Sequence, residues 1–288
     1  MNDPIAGARP RSIAQGPGAG ADKAGMVWSG MGRIALALIL IALGVRGLWI
    51  GDFAGPWQRI PIDSLPGRAA WAYATALVEL ACGLGLAWHR TALPASWVLL
   101  IFSALWAVLL KVPGVAAMPA MEGTWLGLGE ITVIVAAAWL LFLTRAQAPG
   151  DEANRPVSRA GIVAARTLFA LSLLAIGLSH FFYLTETVAF VPAWLPFPVF
   201  WAYLTGAGDI AACVCILFGI VPRLAASLEA AMLMVITLLV WLPGAVTAPG
   251  DASLTPLLMS AAIACGAWVV ADSYLALPWR ALRQAPSA

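Results

Sequence analysis

Eight separate stretches of this chain are apolar for about the length of a membrane crossing, and that spacing limits the fold more than any other feature. They run at about 33–50, 69–88, 95–117, 124–144, 161–184, 197–219, 224–247 and 255–276. A helix rises about 1.5 Å per residue, so roughly 20 apolar residues cross the hydrocarbon of a bilayer. Composition agrees: 62% of the residues are hydrophobic and 10% are charged, against about 25% charged in soluble domains. A mean hydropathy of +0.90 leaves too little polar surface to face water. The expectation is an all-α membrane protein of eight transmembrane helices. Two Pro-Gly pairs, Pro113-Gly114 and Pro243-Gly244, are expected to stop or kink the third and seventh helices.

The basic residues suggest an orientation. With the N-terminus inside, the inner segments hold Arg9, Arg11, Lys23, Arg33, Arg90, Arg145, Arg155, Arg159, Arg166, Arg223, Arg280 and Arg283, and the outer ones only Arg59, Arg68 and Lys111. That bias puts both termini in the cytoplasm. Trp49, Trp57, Trp71, Trp125, Trp194, Trp201 and Trp241 then fall near the outer interface, as an aromatic belt does. Residues 1–32 are rich in Gly, Ala and Pro and are expected to form a disordered cytoplasmic tail. The head before the first apolar run is too long for a signal peptide, so no cleavage is expected. There is no basic run or stripe of the kind that binds nucleic acid.

The chain reads as two similar halves. Arg33, Ala37, Leu38, Leu40, Ala42 and Gly44 align with Arg166, Ala170, Leu171, Leu173, Ala175 and Gly177. Trp71, Ala72, Tyr73, Thr75, Glu79 and Ala81 then match Trp201, Ala202, Tyr203, Thr205, Asp209 and Ala211, and the Pro-Gly pairs fall in the same register. Four spans per half is an even number, so both halves enter from the same side and are expected as parallel, pseudo-symmetric four-helix bundles. The expected division is a tail at 1–32, repeats at 33–145 and 161–277, a polar cytoplasmic linker at 146–160 and a cytoplasmic tail at 278–288.

At these residues the chain resembles the DoxX-like family of small four-span bacterial membrane proteins. The second half carries Gly177-Leu178-Ser179-His180-Phe181-Phe182, the Pro-rich Val191-Pro192-Ala193-Trp194-Leu195-Pro196, and an acid in its second span. The first half carries Glu79-Leu80-Ala81-Cys82-Gly83-Leu84-Gly85 but has Gly47 where the second has His180, with Arg46 beside it. The resemblance covers roughly 33–277. It implies a multi-pass protein of the bacterial cytoplasmic (inner) membrane. The family's loose tie to membrane oxidoreductase systems, including quinone-linked sulfur oxidation, implies a quinone as ligand and an oxidoreductase subunit as partner.

Charged groups inside a bilayer cost about 2.5–3.5 kcal/mol each on insertion scales and usually face the bundle interior. Glu79 and Asp209 fall near mid-span, with Thr75 and Thr205 one turn before them on the same helix face. Arg46, His180 and Glu130 fall in the outer thirds of their spans. Two readings stay open. All five ionisable groups could converge on a polar cavity that opens outward, where the two acids exchange protons and His180 donates or accepts a hydrogen bond. Alternatively they are structural, for example as a Glu79–Arg46 ion pair, with His180 packed at an interface. Lys111, Glu229 and Asp272 lie near helix ends, and a solvated or snorkelling position without a role is expected for them.

Cys82, Cys213, Cys215 and Cys265 have no Cys-x-x-Cys spacing and read as packing residues. His89 and His180 lie toward opposite faces and cannot jointly ligate a haem; no dinucleotide or phosphate loop is present. No metal site and no covalently bound cofactor is expected, and any redox centre comes from a quinone or a partner. Three functions remain: a membrane subunit holding a quinone or similar lipophilic carrier for an oxidoreductase, a small-solute or proton-coupled transporter, and a non-catalytic assembly or anchoring protein.

Overall fold

A computed structural model describes residues 30–54, 66–145 and 159–280 of the chain. Most of the expected tails at 1–32 and 278–288, the linker at 146–160 and the loop holding Trp57 and Arg59 lie outside the described residues.

In lipid no water is available to satisfy the backbone, so an apolar segment closes its hydrogen bonds internally as a helix. Among the described residues, eight helices are long and apolar enough to cross a membrane. They are α1 (Met31–Ile50), α2 (Arg68–Ala87), α3 (His89–Ala117), α4 (Glu122–Arg145), α5 (Arg159–Phe182), α6 (Pro198–Phe218), α7 (Pro222–Thr247) and α8 (Asp251–Asp272). A short helix, Leu184–Phe190, follows α5. The chain is an all-α, multi-pass membrane protein. The end holding Arg145 and Arg159 is called the linker end, and the end holding Leu184–Phe190 the loop end.

The two Pro-Gly pairs do not stop their helices. A proline removes one donor and pushes against the carbonyl four residues back. Each proline is preceded by a wider π turn, Ala107–Lys111 before Pro113 and Thr237–Trp241 before Pro243. The extra width relieves the clash, and helical structure runs on to Ala117 and Thr247. The two π turns fall in the same register of the two halves.

The halves interlock. Within each, consecutive helices pack side by side, but α4 lies on α5 and α8 lies on α1, so the last helix of each half packs against the first helix of the other. α4 and α8 also touch each other at the centre and are the most buried of the eight. Hydroxyl pairs join the helices: Thr132 of α4 to Ser172 of α5 at 2.7 Å, and Thr237 of α7 to Ser260 of α8 at 2.7 Å.

At the linker end the arginines bond carbonyls at helix C-termini or in the segment after α8. Arg33 donates to the Leu86 carbonyl at the end of α2. Arg166 donates to the Ser273 carbonyl just past α8, and its guanidinium lies 3.7 Å from the Tyr274 ring centroid. Arg223 donates to the Leu277 carbonyl at 2.7 Å and lies 4.0 Å from the Trp279 ring centroid. Asp272 is not solvated as expected: it is half-buried, and its Oδ2 accepts the Gly32 N–H at 3.1 Å, at the N-terminus of α1. Lys111 is also half-buried rather than snorkelling freely. It lies across Gly127 of α4, close enough to Glu130 for their charges to interact.

Candidate ligand cavity and buried carboxyl pair

α5 and α6 meet backbone to backbone. A Cβ on Gly177 would stand 2.8 Å from the Asp209 Cβ, and one on Gly206 would stand 2.7 Å from the His180 Cβ. Glycine at both positions is what lets His180 and Asp209 face each other. His180 Nδ1 lies 3.1 Å from Thr205 Oγ1, and His180 Nε2 lies 3.7 Å from Asp209 Oδ2. The Thr205 hydroxyl also stands 3.0 Å from the Trp201 and Ala202 carbonyls one turn back.

These groups border a cavity of about 770 Å³, within the roughly 300–1,000 Å³ of ligand pockets. α5, α6, α7 and the short helix form most of its wall, with Leu126 and Glu130 from α4 and Thr255, Pro256, Met259, Ser260 and Ile263 from α8. The wall is mostly apolar and aromatic, including Phe190, Leu195, Trp201, Leu239 and Trp241. Polar side chains are a minority: Glu130, Ser179, His180, Thr205, Asp209 and Ser260 at depth, and Tyr183, Glu186, Thr187 and Thr255 toward the loop end.

Of the expected cluster, Glu130, His180, Thr205 and Asp209 share this cavity, and Arg46, Glu79 and Thr75 do not. Glu79 is buried beside a separate cleft of about 20 Å³, room for roughly one water. That cleft is lined by Leu40, Leu99, Phe102, Ser103 and Trp106 among others. Thr75 is buried, and its hydroxyl donates to the Ala72 carbonyl at 2.8 Å. Arg46 does not pair with Glu79. It reaches across to α8, where it bonds Asp251 and lies 3.5 Å from the Thr255 hydroxyl. The reason is the helix order: α1 packs on α8 as well as α2, and Arg46 and Asp251 both lie at the loop end.

The halves differ for a steric reason. In the register that matches Thr75 to Thr205, Gly206 falls on Ala76; in the register of the first spans, which matches Gly44 to Gly177, His180 falls on Gly47. A Cβ on Gly47 would stand 2.8 Å from the Ala76 Cβ. The small residue has changed sides, so the first half has no room for a histidine there.

One site residue was missed in the sequence. Glu229 is 2% exposed, not solvated. Its carboxyl lies against that of Asp209, close enough to share a hydrogen bond. Two signals pointed to it. It lies about 10 Å inside α7, counting a rise of about 1.5 Å per residue from Pro222. In the register that matches Pro113 to Pro243, its counterpart is Leu99, a core residue of the first half.

Among the described residues no His, Cys, Asp and Glu group is arranged to hold a metal ion. Cys82, Cys213 and Cys265 are buried, Cys215 is half-buried, and none is paired.

The fold and cavity define a polytopic α-helical membrane protein with a mainly apolar intramembrane chamber. The DoxX family profile matches residues 161–242, so the chain carries a DoxX-family domain from α5 into α7. The match contains His180, Thr205, Asp209 and Glu229 and stops short of α8. No curated protein and no solved structure matches the chain.

Proposed function

We propose that the protein binds a lipophilic molecule with a hydrogen-bonding head group, a quinone or similar carrier, and presents it to a partner oxidoreductase in the bacterial inner membrane. The cavity carries this reading. It is large and mostly apolar, and its deep end holds His180, Thr205 and Asp209. Burying an apolar tail along such a wall stabilises the complex by about 25 cal/mol per Å² of area removed from water. The deep polar groups give one end of the ligand hydrogen-bond partners and so fix its orientation. The family's tie to quinone-linked systems supports the choice of carrier. Mass spectrometry of lipophilic molecules that copurify in mild detergent tests it. A quinone retained by wild type and lost in folded His180→Ala and Asp209→Asn supports the reading; the same recovery in all three counts against it.

A small-solute transporter is the second reading, favoured by buried carboxyls near mid-span. It predicts flux in reconstituted vesicles that falls in Asp209→Asn, and absence of flux across a broad solute panel counts against it.

A further inference from the structure

Glu229 does not line the cavity. It sits behind Asp209, one layer deeper toward the linker end. Asp209 Oδ1 and Glu229 Oε1 are buried, and neither has a hydrogen-bond partner. Arg166 and Arg223, toward the linker end of α5 and α7, are bonded to the segment after α8. Two carboxyls can hydrogen-bond to each other only when one of them carries a proton. Two adjacent carboxylates cannot both stay ionised in so dry a site, so the buried pair is a place for a proton, and Asp209 borders the chamber beside its ring-nitrogen neighbour His180.

Carboxyl, imidazole and hydroxyl groups line up on the chamber side of the pair. They run from Glu229 to Asp209, His180 and Thr205. Toward the linker end the buried residues that follow on α6 and α7 are Ala212, Cys213, Ile216, Ala225 and Ala226. None is a carboxyl, imidazole or hydroxyl.

We propose that Asp209 and Glu229 form a proton store that exchanges one proton with the occupant of the chamber through His180 and passes none to the linker side. It rests on the carrier-binding reading above. With one proton the pair bears a single negative charge. A hydroxyl of the bound molecule gives up its proton, its oxygen keeps the electron pair, and His180 Nδ1 takes the proton from the Thr205 side. Nε2 then releases a proton to Asp209 Oδ2, and the pair becomes neutral. The reverse sequence returns it. The 3.7 Å gap at Nε2 exceeds a direct hydrogen bond, so a small motion of the ring gates the transfer.

Infrared spectra of the full-length protein in lipid nanodiscs, in H2O and D2O at neutral pH, read the C=O stretch of a protonated carboxyl. The expected result is a deuterium-sensitive band that is lost in Glu229→Gln and in Asp209→Asn and kept in Glu79→Gln. No such band, or one that survives both substitutions, overturns the store. If Glu229→Gln does not fold, Glu229→Asp replaces it: a shifted band is expected, and an unshifted one overturns the assignment. His180→Ala is expected to keep the band and slow its deuteration; an unchanged rate overturns the route. Proteoliposomes are expected to dissipate a pH gradient no faster than protein-free vesicles. Faster loss that returns to the protein-free rate in Glu229→Gln overturns the dead end and makes the pair a conduit. If no carrier copurifies while the band behaves as expected, the carrier reading fails and the store stands.

Discussion

Gly206 and His180 touch across the α5–α6 interface, with only 2.7 Å between the His180 Cβ and the place where a Cβ on Gly206 would be. This contact sets how near the imidazole comes to Asp209, one turn further along α6. Because core atoms are already in contact there, Gly206→Ala must push the helices apart. Overpacking of this kind costs about 1–3 kcal/mol. A lower melting temperature in detergent and loss of the copurifying ligand are expected together. A variant as stable as wild type would show that the interface has slack.

Filling the chamber tests the ligand reading without touching its polar end. Ile236 lines the cavity from α7. Ile236→Trp is expected to reduce copurified carrier while leaving the melting temperature close to wild type, because the added ring occupies empty space rather than packed core. Undiminished recovery of the carrier would place its binding elsewhere.

The α4–α5 contact that interlocks the halves holds the Thr132–Ser172 hydroxyl pair at 2.7 Å. Hydrogen bonds between membrane helices average about 0.6 kcal/mol and reach about 1.7. A double-mutant cycle with Thr132→Val and Ser172→Ala, read by unfolding in mixed detergent, is expected to give a coupling in that range. Zero coupling would mean that apolar packing alone joins the halves.

Val221 ends the tight α6–α7 turn with φ 42°, a left-handed conformation that a β-branched residue adopts only under strain. The left-handed form costs an L-residue roughly 1–2 kcal/mol. Val221→Gly removes that strain, and a higher melting temperature is the expected outcome, checked by thermal unfolding followed by size exclusion. A fall instead would mean that the valine side chain contributes more by packing than the backbone loses.

Orientation is open to direct labelling. The arginine bias predicts a cytoplasmic linker end. Gly250→Cys, at the loop end, is expected to react with a membrane-impermeant maleimide in intact spheroplasts, and Thr91→Cys only after permeabilisation. The opposite pattern would invert the topology.

The eight helices were legible because lipid makes each span carry its own signal: an apolar run of the right length whose backbone must bond to itself. Their ends in the structure fall close to those read from the apolar runs. The pairing of Thr205 with Asp209 on one helix face was legible too, since it depends only on helical spacing. What joins different helices was not. Arg46 was free to meet Glu79 as far as the sequence goes; the packing of α1 on α8 sends it to Asp251 instead. Glu229 looked like an interface residue because its depth was judged along one helix alone. Only the packing of α6 against α7 shows that it faces Asp209. Local periodicity determines which segments become helices and which face of each is polar. Tertiary packing decides which polar faces meet, because helix neighbours in a bilayer are chosen by close backbone contact and side-chain fit, which no single segment encodes.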